Sequence, residues 1–328
     1  LKVVLFRTDG GAVAEVGTGH IHRSLLVAGH LRDSYKVIFT SLDSPAYEYG
    51  HSMIRNSGYS LHLLSPDDCN NDLARLVEDS KPDLIICDRY RYNEEELRIL
   101  KRYDVPLLTY DHFEEHRRFS DYQINAIVEE VDNPYSGPRY IVIPPVPMKA
   151  FRTTPEKIFI CFGGFDYLDI TLKLVNILSH ADIGLPIDVV IGNGYPNTAV
   201  LYQHEYLSGG KIRIHRQPFN FQELMAGADI AFVAGGLVFY QVLSLGIAAV
   251  VICQYNHQLE QVRNLDEHRI CTLLGMGNTL DHQVVISLLQ TLMNDVGIRH
   301  DIYERGRTLV DGKGLSRVVN IIRERLTR

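Results

Sequence analysis

Paired cysteines and long apolar runs are both missing from this chain, and each absence removes a class of protein. The five cysteines (Cys69, Cys87, Cys161, Cys253, Cys271) are widely scattered and form no C-x-x-C pair. An odd count without a spacing pattern excludes a disulfide framework and a cysteine zinc site. Reduced, mostly buried thiols in a cytoplasmic protein are expected instead. No apolar run approaches the roughly 18 residues that a bilayer-spanning helix needs, and the chain opens on a strand-like run rather than a secretory leader, so no membrane span is expected. A strongly basic block is also missing. The net charge is -7, and the short clusters Arg117-Arg118 and Arg323 to Arg328 are explained as solvated faces, which argues against nucleic acid as a partner.

What is present is an alternation of short apolar runs with helix-length segments over 328 residues, enough for two domains of about 150 residues each. In the first half strands are expected at Val3-Phe6, Tyr35-Thr40, Ser60-Leu64, Leu84-Cys87 and Pro106-Tyr110, with another at Tyr140-Ile143. The proline-rich piece Pro144-Pro145-Val146-Pro147 continues neither a helix nor a central strand and marks the domain boundary. The second half restarts the rhythm with strands at Lys157-Phe162, Ile187-Ile191, Ile212-His215, Ile230-Val233, Ala248-Ile252 and Cys271-Leu274. Such alternation predicts an α/β fold with parallel sheets covered on both faces. The expected organisation is 1–146 as a first domain, 147–312 as a second and 313–328 as a helix crossing back to the first. Two such domains would place a ligand cleft between the carboxyl edges of their sheets.

The chemistry-bearing residues cluster at expected strand ends. Gly17-Thr18-Gly19-His20-Ile21-His22-Arg23 follows the first strand, where a glycine lets backbone amides approach a ligand and a helix N-terminus favours an anion. A histidine there, His20, suits proton transfer. The third glycine of a dinucleotide fingerprint is missing and the loop is too long for one. In the second half Phe162-Gly163-Gly164-Phe165-Asp166 follows a strand, with Asp166 or Asp169 placed to cap the next helix. Ile191-Gly192-Asn193-Gly194 is another glycine-rich strand end. Ala234-Gly235-Gly236 runs from a buried strand into a helix beginning at Leu237, whose N-terminus suits a diphosphate. Gln241 in that helix offers an amide to a ribose or base. Tyr255-Asn256-His257-Gln258 adds polar groups after the next strand. His112 and His116 would share a face if helical, but an irregular loop is expected after Asp111, so no metal centre is predicted.

Taken in order, these pieces resemble the nucleotide-sugar hydrolases of pseudaminic acid biosynthesis and the related spore-coat polysaccharide proteins, within the GT-B glycosyltransferase superfamily. The resemblance covers nearly the whole chain. It runs through Arg7-x-Asp9, Gly17-x-Gly19-His20-x-x-Arg23, Asp88-x-Tyr90, Asp111, Asp121 to Asn125, and Phe162-Gly163-Gly164-x-Asp166 with Thr171. It continues through Ala234-Gly235-Gly236, Gln258 and Asp311-Gly312-x-Gly314-x-x-Arg317. It implies two Rossmann-like domains facing across a cleft and a UDP-sugar with its nucleotide on the second domain. No cofactor and no metal is implied. Carried over, His20 is the base acting on water at the anomeric carbon, Tyr90 is the active-site tyrosine, and His257-Gln258 stands where the family has an Asn-Gln pair near the catalytic centre. Substrate contacts are expected from Arg7, Asp9, Gly17, Gly19, Arg23, Gly163, Gly164, Asp166, Gly235, Gly236, Leu237, Gln241, Asn256 and Gln258.

The chain also departs from that pattern. After its second glycine turn the family usually has Ser or Thr and then a glutamate in the helix, whereas here Leu237, Val238 and Gln241 stand. Each lost hydroxyl removes a hydrogen bond worth about 1 kcal/mol. Hydrolysis of a UDP-linked amino or deoxy sugar is the expected activity. A GT-B transferase, with an acceptor hydroxyl in place of water, is one alternative, and a nucleotide-sugar-binding protein that has lost catalysis is another.

Overall fold

The computed structural model describes residues 1–11, 16–111, 114–147, 149–181 and 183–327, with only the backbone described at 114–116. The chain divides into two compact units, one made of Leu1–Pro144 and Lys313–Arg328, the other of Pro145–Gly312.

The first unit is built on β1 (Val3–Thr8), α1 (Gly19–Leu31), β2 (Lys36–Leu42), α2 (Glu48–Asn56), β3 (Ser60–Leu64), α3 (Cys69–Ser80), β4 (Leu84–Asp88), α4 (Glu94–Leu100), β5 (Leu107–Tyr110) and β6 (Tyr122–Ile124). Its strands form one parallel sheet in the order β3-β2-β1-β4-β5-β6. The inner strands are apolar throughout because helices cover both faces. Val4, Leu5 and Phe6 of β1 and Leu84, Ile85 and Ile86 of β4 are all buried. The second unit repeats the plan with β7 (Ile158–Cys161), α5 (Ile170–Ser179), β8 (Ile187–Ile191), α6 (Thr198–Leu207), β9 (Ile212–Arg216), α7 (Phe221–Ala226), β10 (Ile230–Val233), α8 (Leu237–Ser244), β11 (Ala248–Cys253), α9 (Asn256–Glu267), β12 (Thr272–Met276), α10 (His282–Asn294) and α11 (Val296–Leu309). Its sheet order is β12-β11-β10-β7-β8-β9. Counted from the first strand of each unit, both sheets have the doubly wound order 3-2-1-4-5-6. The strand order therefore reverses between β1 and β4 in one unit and between β7 and β10 in the other.

The last helix, α12 (Gly314–Thr327), belongs to the first unit. Its Leu315, Val318, Val319, Ile322 and Leu326 lie at i, i+3, i+4, i+7 and i+11 and are all buried. Each contributes about 2 kcal/mol of apolar burial. Its arginines are tied down as well: Arg317 donates to the Arg139 carbonyl at 2.9 Å, Arg323 to the His30 carbonyl at 2.9 Å and Arg325 to the Tyr135 hydroxyl at 2.7 Å.

Two expectations need correcting. Residues 141–143 are buried but form no strand; a single 3-10 turn, Pro138–Tyr140, precedes them. Prolines at 138, 144 and 145 cannot donate to a ladder, which keeps this segment out of the sheet. The sixth strand is instead the three-residue β6, paired with β5. In addition, α6 and α11 lie in stretches whose apolar pattern is too weak to announce a helix, with Leu201 the one buried residue of α6. Among the described residues no helix is long and apolar enough to cross a membrane.

Candidate active site

At the carboxyl edge of the first sheet, α1 starts at Gly19 and puts His20, Arg23 and Ser24 on one face at i, i+3 and i+4. That face meets Asp88, the last residue of β4. His20 Nδ1 lies 2.7 Å from Asp88 Oδ1, and the Asp88 side chain is fully buried while that of His20 is 18% exposed. Arg23 grips the same carboxylate with both arms, Nε to Oδ2 at 2.7 Å and Nη2 to Oδ1 at 2.6 Å. Its remaining arm reaches Asp111, and its guanidinium lies over the Tyr110 ring, 4.5 Å from the centroid. Asp111, in the left-handed region at φ 45°, accepts from the Ala126 amide at 2.9 Å. Burial pushes the Asp88 pKa up, but Arg23 and then His20 more than reverse this and bring it to about 2. Asp88 is therefore a carboxylate, an acceptor only, so His20 donates from Nδ1 and its Nε2 carries the lone pair.

Sequence reasoning took His20 as the base but gave Asp88 no role in orienting it. The two are 68 residues apart and meet only because β1 and β4 are sheet neighbours. Several expected substrate contacts turn out to be held inside the fold. Arg7 is 1% exposed and binds Asp9 and Glu96. Asp9 also accepts from Ser41 Oγ at 3.0 Å and the Leu42 amide at 2.9 Å, and pairs with Arg89 at 2.7 Å. Burial raises the Asp9 pKa, and Arg7 with Arg89 reverses that to hold it well below the usual carboxylate range. Paired in this way, Arg7, Asp9 and Arg23 brace the strand ends. Gly17 supplies a left-handed turn at φ 59°, with its carbonyl accepting from Gly11 N at 2.9 Å. Tyr90, half-buried, follows β4 next to the His20–Asp88 pair's strand end, with the Arg91 guanidinium 5.6 Å from its ring centroid.

In the second unit the two glycine turns lie where the strand order reverses, Gly163-Gly164 after β7 and Gly235-Gly236 after β10. Asp166 caps α5 with both oxygens, accepting from the Ile170 amide at 2.9 Å and the Thr171 amide at 2.5 Å. An anion of the protein thus already occupies that helix start. By contrast, Gly236 caps α8 with no side-chain hydrogen bond; its carbonyl accepts from the Phe239 amide at 3.0 Å, and the Leu237 and Val238 amides precede that bond at the helix start. Gln241 is buried and accepts from Gln222 Nε2 at 3.0 Å, which turns its carbonyl inward. Gln258 likewise accepts from the Gln254 amide at 2.9 Å. Gln254 in turn ties down the first glycine turn, donating to the Phe162 carbonyl at 2.8 Å and accepting from the Tyr167 amide at 3.0 Å. The Ile191–Gly194 turn serves packing: a Cβ on Gly192 would come within 2.4 Å of the Gly164 carbonyl, and one on Gly194 within 2.2 Å of the Phe165 ring. Leu237 and Asn256 open α8 and α9. His257, half-buried in the first turn of α9, has its pKa lowered by burial, which favours neutral imidazole.

Among the described residues no group of three or more His, Cys, Asp or Glu could hold a metal ion. His112 and the side chain of His116 lie outside the described residues.

Two sheets of this order and connectivity define the GT-B fold, and solved structures carry the same architecture. MurG of Acinetobacter baumannii has a TM-score of 0.73 at 15% identity, covering 99% of this chain and 100% of that one. The spinosyn forosaminyltransferase SpnP has a TM-score of 0.70 at 12% identity, with 100% of both chains covered. Anabaena Alr3699/HepE, solved in complex with UDP, has a TM-score of 0.61 at 14% identity over 100% of both. In sequence, the chain is 25% identical over 345 residues to the spore coat polysaccharide biosynthesis protein SpsG of Bacillus subtilis, with 96% of each covered. It is 26% identical over 286 residues to the uncharacterized protein MJ1062 of Methanocaldococcus jannaschii, covering 79% of this chain and 57% of that protein, so it spans a little over half of that relative's length. No family model matches the chain.

Proposed function

We propose that this chain cleaves the anomeric C–O bond of a UDP-linked amino or deoxy sugar with water as the nucleophile, yielding UDP and a free sugar for surface-polysaccharide or nonulosonic-acid synthesis. The observation that carries this reading is the 2.7 Å contact between His20 Nδ1 and buried Asp88. That contact gives the imidazole the tautomer a general base needs. Water gives a proton to Nε2 as its oxygen bonds to the anomeric carbon, and the electron pair of the breaking bond leaves on the β-phosphate oxygen of UDP. A positioned base of this kind contributes about 10²–10⁴ in rate. The first amides of α8, free of any side-chain cap, are suited to the departing diphosphate. Tyr90 stands on the sugar side. The GT-B fold, the relationship to SpsG and the UDP bound by Alr3699/HepE all support a nucleotide-sugar substrate.

A second reading has a specific observation behind it: structural neighbours include glycosyltransferases such as SpnP, and the same base serves an acceptor hydroxyl as well as water. The third, binding without turnover, is motivated by Val238, Gln241 and His257. Incubation with UDP-linked amino sugars separates all three. Release of UDP and reducing sugar in plain buffer, abolished in a folded His20→Ala variant, is the result expected of a hydrolase. Release only after an acceptor is added identifies a transferase. UDP binding without release on any donor identifies a binding protein, and the absence of UDP binding removes every nucleotide-sugar reading.

A further inference from the structure

Tyr167, in the turn after β7, and Tyr255 and His257, at the start of α9 after β11, form a row of nearly parallel rings. The Tyr167 and Tyr255 centroids are 6.1 Å apart with planes 6° from parallel. Tyr255 and His257 are 5.5 Å apart and 5° from parallel. At these separations parallel rings overlap only in part, and the row ends on the exposed Tyr167. β10 lies between β7 and β11 in the sheet, so the row bridges the end of the strand that leads into the Gly235-Gly236 turn. Gln254 fixes both sides of that bridge through its bonds to the Phe162 carbonyl and the Tyr167 amide.

Tyr167 is 61% exposed, although its own turn is held in place on both sides. A large ring presented to solvent on a fixed backbone, in register with two others, is built to stack. We propose that this row is the platform for the pyranose ring of the nucleotide-linked sugar, with Tyr167 and Tyr255 against its C–H face and His257 at its hydroxyls. The inference rests on the nucleotide-sugar reading above. Polarised C–H groups of a sugar face meet the negative π-faces of the tyrosines. Neutral His257, with its pKa lowered by burial, both donates and accepts, as a hydroxyl requires. A nucleobase would use the same faces and edge, so UDP without its sugar is the comparison that separates the two.

Calorimetric titration of the wild type and of Tyr167→Ala with UDP and with UDP-N-acetylglucosamine tests the assignment. The expected result is unchanged affinity for UDP together with about five- to tenfold weaker binding of the nucleotide sugar, the scale of one aromatic contact. Tyr167→Phe, which keeps the ring, should restore binding. Equal weakening of both ligands assigns the platform to the nucleotide and overturns the proposal, as does a variant that binds both ligands like the wild type. A wild type that fails to bind UDP itself overturns the nucleotide-sugar reading and this proposal together, an outcome distinct from the other two.

Discussion

His20 and Arg23 donate to the same oxygen of Asp88, His20 from Nδ1 at 2.7 Å and Arg23 from Nη2 at 2.6 Å. The carboxylate thus orients the imidazole while its charge is largely spent on the guanidinium. Arg23 is itself balanced by Asp111 on its far side, so charge alternates along Asp111–Arg23–Asp88 and the row ends on His20. Such an arrangement fixes the orientation and tautomer of the imidazole.

Asp88→Asn keeps the shape of the side chain but replaces an obligate acceptor with an amide that can also donate. The imidazole then loses its tautomer preference. Turnover is expected to fall about 10²–10⁴-fold with little change in KM, because the group lost acts on proton transfer and not on binding. Steady-state kinetics on a variant shown by circular dichroism to be folded checks this. A drop in KM-dependent binding alone would contradict the base-orienting role.

Arg23→Gln removes the cation between two carboxylates. In a network this deeply buried, loss of one partner costs about 3–5 kcal/mol, read as a lower urea midpoint. A second effect separates positioning from mere destabilisation. With Asp88 no longer held by the guanidinium, the His20 ring loses its fixed position, so kcat should fall while KM changes little. Arg23→Lys, which restores the charge without the two-armed geometry, should recover part of the turnover and less of the stability.

Acid sensitivity follows from the same residues. Asp88 has its pKa lowered from 3.8 to about 2, so the unfolded chain binds its proton more tightly than the folded one. Its contribution, about 2 kcal/mol, is fully present above about pH 4 and is lost as the pH falls toward 2. Asp9, held still lower, acts with the same sign. Urea unfolding between pH 5 and pH 2 should show stability declining as pH falls, and the decline should be shallower in Asp88→Asn. A pH-independent midpoint over that range would count against ionised, paired carboxylates at these strand ends.

The sheets were legible because their inner strands are unbroken apolar runs, such as Ala248–Cys253. Where burial depends on context, the reading failed. β6 is three residues long with Gln123 at its centre, too short to show a period. Of α6 only Leu201 is buried, and α11 conceals its inward face behind a buried Arg299. In the site, His20 and the uncapped α8 start could be located from local glycine and strand patterns. The ion pairs of Arg7, Asp9 and Arg23 could not, since their partners Glu96, Arg89, Asp88 and Asp111 are distant in sequence and only the folded sheet and its helices bring them together.

Gly235 and Gly236 differ in a way that separates packing from ligand approach. A Cβ on Gly235 would lie 3.0 Å from Val262 Cγ2 and 3.1 Å from Gln258 Cβ, whereas one on Gly236 meets nothing within 4 Å. Gly236 is at φ -110°, a conformation open to any residue, so Gly236→Ala should fold with a melting temperature close to that of the wild type. Its methyl group would stand at the start of α8, where the diphosphate is proposed to bind, and UDP affinity measured by calorimetry should fall by about tenfold or more. Gly235→Ala should instead lower the melting temperature, because α9 must shift to admit the methyl group. If Gly236→Ala binds UDP as the wild type does, the α8 N-terminus is not the phosphate site, and the uncapped start of α9 becomes the next position to test in the same way.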